Sequence, residues 1–291
     1  MPDPRRPRPP RRHLQPRAGG QVPALHGQRR ARGPGRTRRR PPLPQHGPRR
    51  PAANGRLACR PARGPSVKPP PFDYAAPDSI DEAVALLAGE LDATVLAGGQ
   101  SLVPLLSMRL AQPDLLVDLR RIEGLDRISE SDGHLAIGAM VRQLEAETNA
   151  TVRARCSLLV EALAHVAHPQ IRARGTVCGS VAHADPAAEL PAVVVALDAR
   201  IRVRGPGGER VVGAADLYRG MLTTSLAPGE VVTAVELPLD GDGDGAACVE
   251  VARREGDYAI CGAVARVSSH GGAVAEARLA LFGLADRPVR A

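Results

Sequence analysis

Two stretches of this chain are built from residues too small to make a core. Residues 95–101 read VLAGGQS and residues 175–180 read GTVCGS. A close-packed interior needs side-chain volume, and these stretches supply almost none. What they supply is backbone. Glycine lacks the Cβ that keeps the main chain at a distance, and it adopts conformations closed to other residues. In the first stretch a strand-like run ends in glycines and helical spacing follows, the geometry in which free amides point at an anion. The second stretch adds the hydroxyls of Thr176 and Ser180 to the freedom of Gly175 and Gly179. Neither stretch is GxGxxG or GxxxxGK[ST], so neither a Rossmann nor a P-loop assignment follows.

Either stretch alone reads as a tight turn. The pair predicts more: two amide-rich turns, one from each of two lobes, can grip the two anionic groups of a pyrophosphate and hold a dinucleotide at its middle. Asp185 and Glu189 follow the second turn in DPAAELPA. They are candidates to accept hydrogen bonds from ligand hydroxyls. The alternatives are a helix cap for Asp185 and a solvated helix face for Glu189.

The surrounding pattern places these turns. SIDEAVALLAGEL predicts a helix capped by Ser79 or Asp78, with Ile80, Val84, Leu87 and Leu91 on one face. ATVLAGG predicts a short buried strand, QSLVPLLSMRL a second helix with Pro104 in its first turn, and PDLLVDLRRI a further strand. Helix, strand, helix, strand predicts a small parallel β-α-β lobe. GHLAIGAMVR then reads as a strand and VRQLEAE as the start of a helix. RCSLLVEALAHVA reads as a helix with Leu158, Leu159, Ala162, Leu163 and Val166 on one side. HPQIRARGTVCGS reads as a loop, and DPAAELPAVVVALDA as a helix starting at Asp185 with Pro186 in its first position. A hairpin, a short helix and the strand EVVTAVELP follow, and then two or three strands from residue 247 onward. DGDGDG lacks the spacing and terminal Glu of an EF-hand and reads as a turn.

Composition matters at one boundary. Residues 1–66 carry 18 arginines, 15 prolines and one acid, Asp3. The whole chain's net charge of +8, less the +17 of this segment, leaves −9 for residues 67–291. The segment has no apolar periodicity and is expected to be disordered. It has no aromatic residue for base stacking and no secretory h-region, so no nucleic-acid role is expected. Val67 opens VKPPPFDY like a natural N-terminus, so residues 1–66 read as a possible mis-called start. The five cysteines are scattered with no CxxC pair, which argues against a metal site and fits reduced thiols in the cytosol. No apolar run approaches the roughly 18 residues of a membrane span.

The motifs FDYAAPDSIDEAVALL, AGGQSLVPLL, LVDLRRI, IGAM, PQIRARGTVCGSVAHADPAAELPA, PGEVVTAVELP and RREGDYAICGAV occur in this order. With them the chain resembles the FAD-binding medium subunit of molybdenum hydroxylases, the carbon monoxide dehydrogenase and xanthine dehydrogenase type. The resemblance covers about residues 67–291. It implies an α+β fold: a two-lobed FAD-binding module of the vanillyl-alcohol oxidase and p-cresol methylhydroxylase type over 67–240, with lobes at about 67–122 and 123–240. A C-terminal α/β domain over 246–291 follows, cut short relative to the family, so that strands are expected to lack covering helices and expose apolar surface.

The resemblance also implies contacts. Ala97, Gly98, Gly99, Gln100, Ser101 and Leu102 in the first turn would meet the FAD pyrophosphate and ribityl region. So would Thr176, Val177, Cys178, Gly179 and Ser180 in the second, where the family often has Gly in place of Cys178. Glu189, with Asp185, would bind FAD, and Ile171, Val232 and Tyr258 would lie near its flavin or adenine end. The implied partners are a molybdenum-cofactor large subunit and a [2Fe–2S] small subunit. Electrons would pass through FAD to an external acceptor, with no residue of this chain acting as acid or base. His165, His168 and His183 read as surface or packing residues. The alternatives are a stand-alone FAD-dependent oxidoreductase of the same fold, a nucleic-acid-binding protein acting through the arginine-rich segment, and a decayed subunit that binds nothing.

Overall fold

The computed structural model describes residues 68–89 and 91–291. The expectations placed on residues 1–66 lie outside the described residues.

The first lobe follows from its alternation of periods. Strand β1 (Asp73–Ala75) leads to helix α1 (Ile80–Leu87). The Ser79 hydroxyl accepts from Glu82 N at 3.2 Å, and the Glu82 carboxylate accepts in turn from Asp78 N at 3.3 Å. This reciprocal pair fixes where the helix starts. Gly89, a poor helix residue, stands just past its end. Leu91, expected on the buried face, therefore lies outside the helix and is exposed. Strand β2 (Ala93–Leu96), helix α2 (Leu102–Ser107) and strand β3 (Leu115–Asp118) complete the lobe. The three strands are parallel in the order β1-β3-β2, with the wholly buried β3 in the middle. At three residues beside a run of prolines, β1 carries no readable alternation of its own.

The second lobe opens with a hairpin, β4 (Ile128–Ser131) and β5 (His134–Gly138). Helices α3 (Gln143–Thr148), α4 (Ala150–Arg155) and α5 (Ser157–His165) follow. The stretch expected to be a loop instead forms α6 (Pro169–Arg172) and α7 (Val177–His183). Both are too short to display a helical period in sequence. The next helix, α8, spans Glu189–Ala196 and does not begin at Asp185. Ala184 is left-handed, with φ 55°, and Asp185 Oδ1 accepts from Ala187 N at 2.9 Å, so residues 185–188 form a turn. Every residue of α8 is buried. Strands β6 (Arg200–Gly205) and β7 (Gly208–Gly213), helix α9 (Ala214–Leu217), the small pair β8 (Tyr218–Gly220) and β9 (Thr223–Thr224), and strand β10 (Val231–Pro238) close the lobe. Its five-stranded antiparallel sheet runs β4-β5-β10-β6-β7.

A third sheet is antiparallel: β11 (Gly245–Ala252), β12 (Ala259–His270), β13 (Ala273–Phe282) and β14 (Val289–Arg290). Its two faces differ sharply, because side chains alternate along a strand. The inner face carries the rung Cys248–Val264–Ala280 and packs on α5 and α8. The outer face carries Val249–Ala263–Leu281–Val289 and Val251–Cys261, with Val249 and Val251 exposed. The DGDGDG turn has a structural use. Asp244 holds the Arg266 guanidinium, and Asp240 accepts from both Ser157 N and its hydroxyl at 2.6 Å.

Candidate functional site: a cleft with an amide floor and a carboxyl wall

A cleft of about 540 Å³ opens among the first sheet, the helices α2 and α7, and the ends of α8 and β10. That volume falls in the range of small-molecule and cofactor sites. Its floor is where the two small-residue turns meet. A Cβ placed on Gly98 would strike the carbonyl oxygen of Arg174 and lie 2.7 Å from Gly175 Cα and 3.0 Å from Thr176 N. The glycine thus admits the second turn, main chain against main chain. Gly98 lines the cleft, but what its missing side chain makes room for is the protein itself. Gly99 has φ +74°, the left-handed region. Beyond it Val103 N donates to Gly99 O at 3.0 Å and Leu105 N to Ser101 O at 3.3 Å. The amides at 100–102, ahead of these bonds, find no backbone acceptor among the described residues.

The second turn is pinned from below. Gln143 N donates to Gly175 O at 2.8 Å and Val177 N to Val141 O at 3.2 Å. Thr176 caps α7, its hydroxyl accepting from Gly179 N at 3.1 Å. A Cβ on Gly179 would lie 2.5 Å from that hydroxyl oxygen, so this glycine protects the cap. Cys178 lines the cleft, but its thiol donates to Ile137 O at 3.3 Å in the core. Burial pushes that thiol up to about 12, so it stays protonated and unreactive. Val177 is the one expected contact residue that does not line the cleft. It is a core residue, 1% exposed, because adjacent helix positions point about 100° apart.

The wall is made by Asp185, Glu189, Ile171, Val232 and Tyr258. Glu189, for which a solvated helix face was the alternative, is 6% exposed. Burial pushes its carboxyl up to about 7, opposed by the backbone N–H at the start of α8 and reinforced by Glu250 and Asp185. Val232 stands at a bulge in β10, where the register with β6 shifts between Val232 and Ala234. Tyr258 is at the mouth and is largely exposed. His183, read from sequence as surface or packing, also lines the cleft. Burial holds its imidazole below the usual range, against the pull of Asp185. His168 packs on the loop before β12, where a Cβ on Gly256 would lie 2.6 Å from its ring.

Sequence reasoning missed Gln143, Ala167, Gly256 and Asp257, which also line the cleft. Gln143 is buried, and its Oε1 receives no hydrogen bond among the described residues. Gly256 (φ +82°) was the one of these with a visible signal, a glycine inside a charged run. The donor set fits a ligand with an anionic middle and hydroxylated flanks: unpaired amides on the floor attract anions, and carboxyls on the wall repel them but accept from hydroxyls.

The cleft is of the kind that takes a nucleotide-sized cofactor. Residues 70–240 match the family described as FAD binding domain in molybdopterin dehydrogenase, and residues 246–291 match the CO dehydrogenase flavoprotein C-terminal domain. The chain is 46% identical over 226 residues to 6-hydroxypseudooxynicotine dehydrogenase complex subunit alpha of Paenarthrobacter nicotinovorans, covering 77% of this chain and 76% of that one. Among solved structures it is similar to quinoline 2-oxidoreductase from Pseudomonas putida 86, with 43% identity, a TM-score of 0.73, and coverage of 77% and 78% of the two chains. It is also similar to carbon monoxide dehydrogenase from Hydrogenophaga pseudoflava, with 40% identity, a TM-score of 0.74, and coverage of 76% and 78%. The chain belongs to the FAD-binding domain family of molybdopterin dehydrogenases. Among the described residues no helix is long and apolar enough to cross a membrane.

Proposed function

We propose that this chain is the FAD-binding, electron-transferring medium subunit of a molybdenum hydroxylase complex. Its partners are a molybdenum-cofactor large subunit and a [2Fe–2S] small subunit, with electrons leaving through FAD to an external acceptor. Its FAD module is of the two-lobed vanillyl-alcohol oxidase and p-cresol methylhydroxylase type, with lobes at about 67–122 and 123–240 and a C-terminal domain over 246–291. One observation carries the reading. Fifteen of the sixteen residues expected to contact FAD, all but Val177, line the same cleft although they come from five separate segments of the chain.

FAD supplies the redox chemistry, and the protein's part is to bind it, orient it and shield it. The amides at 100–102 would hold the pyrophosphate, with Thr176 and residues 178–180 lining the cleft beside it. Asp185 and Glu189 accept from hydroxyls of the ribityl or ribose groups. Ile171 and Val232 give apolar contact at the ends, and Tyr258 covers the mouth. The test is to mix the purified protein with FAD, pass it through gel filtration, and record the flavin spectrum of the protein peak. Stoichiometric flavin is expected. A peak that emerges colourless from excess FAD rejects the cofactor assignment. Co-expression with the large and small subunits tests the assembly separately, with a three-subunit complex as the expected product.

A further inference from the structure

The acidic side of the cleft is not closed by the second lobe alone. Glu189 is the first residue of α8, the helix that packs on β12 and β13 of the third sheet. There Glu250 stands on the inner face, in one rung with Gly262 and Phe282. A Cβ on Gly262 would strike the Phe282 ring, so the rung is tightly packed where the carboxyl sits. The Glu250 side chain is 7% exposed, and its Oε1 lies 3.7 Å from His165 Nδ1. Its Oε2 is buried, and no N–H or O–H donor among the described residues reaches it. The side chain it neighbours is the carboxyl of Glu189. Two ionised carboxylates side by side in a buried place repel each other and leave lone pairs unsatisfied. A single proton removes both penalties, because a protonated carboxyl is a donor.

We propose that Glu250 is a positioning residue of the flavin cleft: it shares one proton with Glu189 and so holds the Glu189 carboxyl in the orientation that accepts from ligand hydroxyls. The third sheet thereby adds Glu250 to a site that already draws Tyr258 from the loop before β12. The inference rests on the flavin reading and adds to it a residue that stands behind the cleft lining.

Of the groups facing the pair, only His165 opposes the proton, since its positive form favours an ionised Glu250. Asp185 in the turn before α8, Glu161 on α5 and Tyr258 before β12 are acidic or neutral neighbours. Glu161 is engaged by Cys248 N at 3.1 Å, and the Cys248 thiol on β11 is pushed up to about 12 by burial and these carboxylates. His183 on α7 sits beside Asp185 and is held toward its neutral form by burial. His165, 38% exposed, supplies positive charge when protonated, and it acts on Glu250. Burial is the largest influence on both carboxyls and raises both. The Glu189 value of about 7 sets the pH window. The proton is held below that pH and lost above it, where repulsion between two charges drives the Glu189 carboxyl out of place.

The experiment titrates apoprotein with FAD from about pH 6 to about pH 8.5, following flavin fluorescence, and records the infrared C=O stretch of protonated carboxyl in the apoprotein. For the wild type, Kd is expected to weaken roughly tenfold per pH unit above about 7, and the band to vanish over the same range. In Glu250→Gln the amide donates to Glu189 at every pH, so the Kd profile flattens and the band is lost. Glu189→Gln also loses the band. A flat wild-type profile, an unchanged profile in Glu250→Gln, or a band that survives both substitutions overturns the proposal. FAD failing to bind at any pH overturns the flavin reading and the positioning role with it. In that case the band, read without FAD, still reports whether the proton is shared.

Discussion

The floor and the wall of the cleft are built on opposite principles. The floor is uncharged main chain, in which Gly98 lets one turn lie against residues 174–176 and Thr176 ties off the start of α7. The wall is charged side chain, in which Glu189 is buried beside Glu250 and near Asp185. The floor is set by steric contact and is indifferent to pH. The wall is set by electrostatics in a buried place and responds to it. A ligand that satisfies both must be anionic where it meets the floor and rich in hydroxyls where it meets the wall. The difference also separates two kinds of damage: breaking the floor unfolds a junction between lobes, whereas breaking the wall leaves the fold and loses the ligand.

That separation can be tested by substitution. Gly98→Val should be the most damaging, because its Cβ meets backbone that cannot rotate away. We expect a loss of about 3 kcal/mol or more in urea unfolding, with flavin lost as a consequence. Wild-type stability in this variant would show that the two turns do not touch. Glu189→Ala should do the reverse, costing about 2 kcal/mol of FAD affinity by equilibrium titration, the scale of a hydrogen bond to an ionisable group. If Glu189→Ala instead abolishes folding, the wall is structural and the contrast with the floor disappears.

Smaller effects discriminate within the floor. Gly99→Ala forces a side chain into the left-handed region at φ +74° and should cost about 1–2 kcal/mol of stability, read from the shift in unfolding midpoint. Thr176→Ala removes the cap on α7 and should cost about 1 kcal/mol. Thr176→Ser keeps the oxygen and should recover most of it. A serine variant as unstable as the alanine one would point to packing of the threonine methyl and away from the cap.

Much of this molecule could be read before any fold was known. The period of three to four in SIDEAVALL and the strand runs ATVL and LLVD are strong local signals, and their alternation specifies a parallel lobe. The helices α6 and α7 escaped notice because four and seven residues, punctuated by Pro169 and Gly175, show no repeat. Asp185 and Pro186 carry the usual marks of a helix start. The left-handed Ala184 and the side-chain bond to Ala187 N turn them into a separate loop instead. The burial of Glu189 had no local sign at all, since its neighbour Glu250 is 61 positions away, on β11.

The order of residues by itself settled where the backbone can come close to something, since the absence of a Cβ at Gly98, Gly99 or Gly179 is a local property of the chain. Only the tertiary structure decided what comes close. For Gly98 that is the main chain of residues 174–176, and for Gly179 it is the hydroxyl of Thr176. The same holds for charge. The sequence places a carboxyl at Glu189, but the form it takes depends on the water it loses and the second carboxyl it meets, and folding determines both.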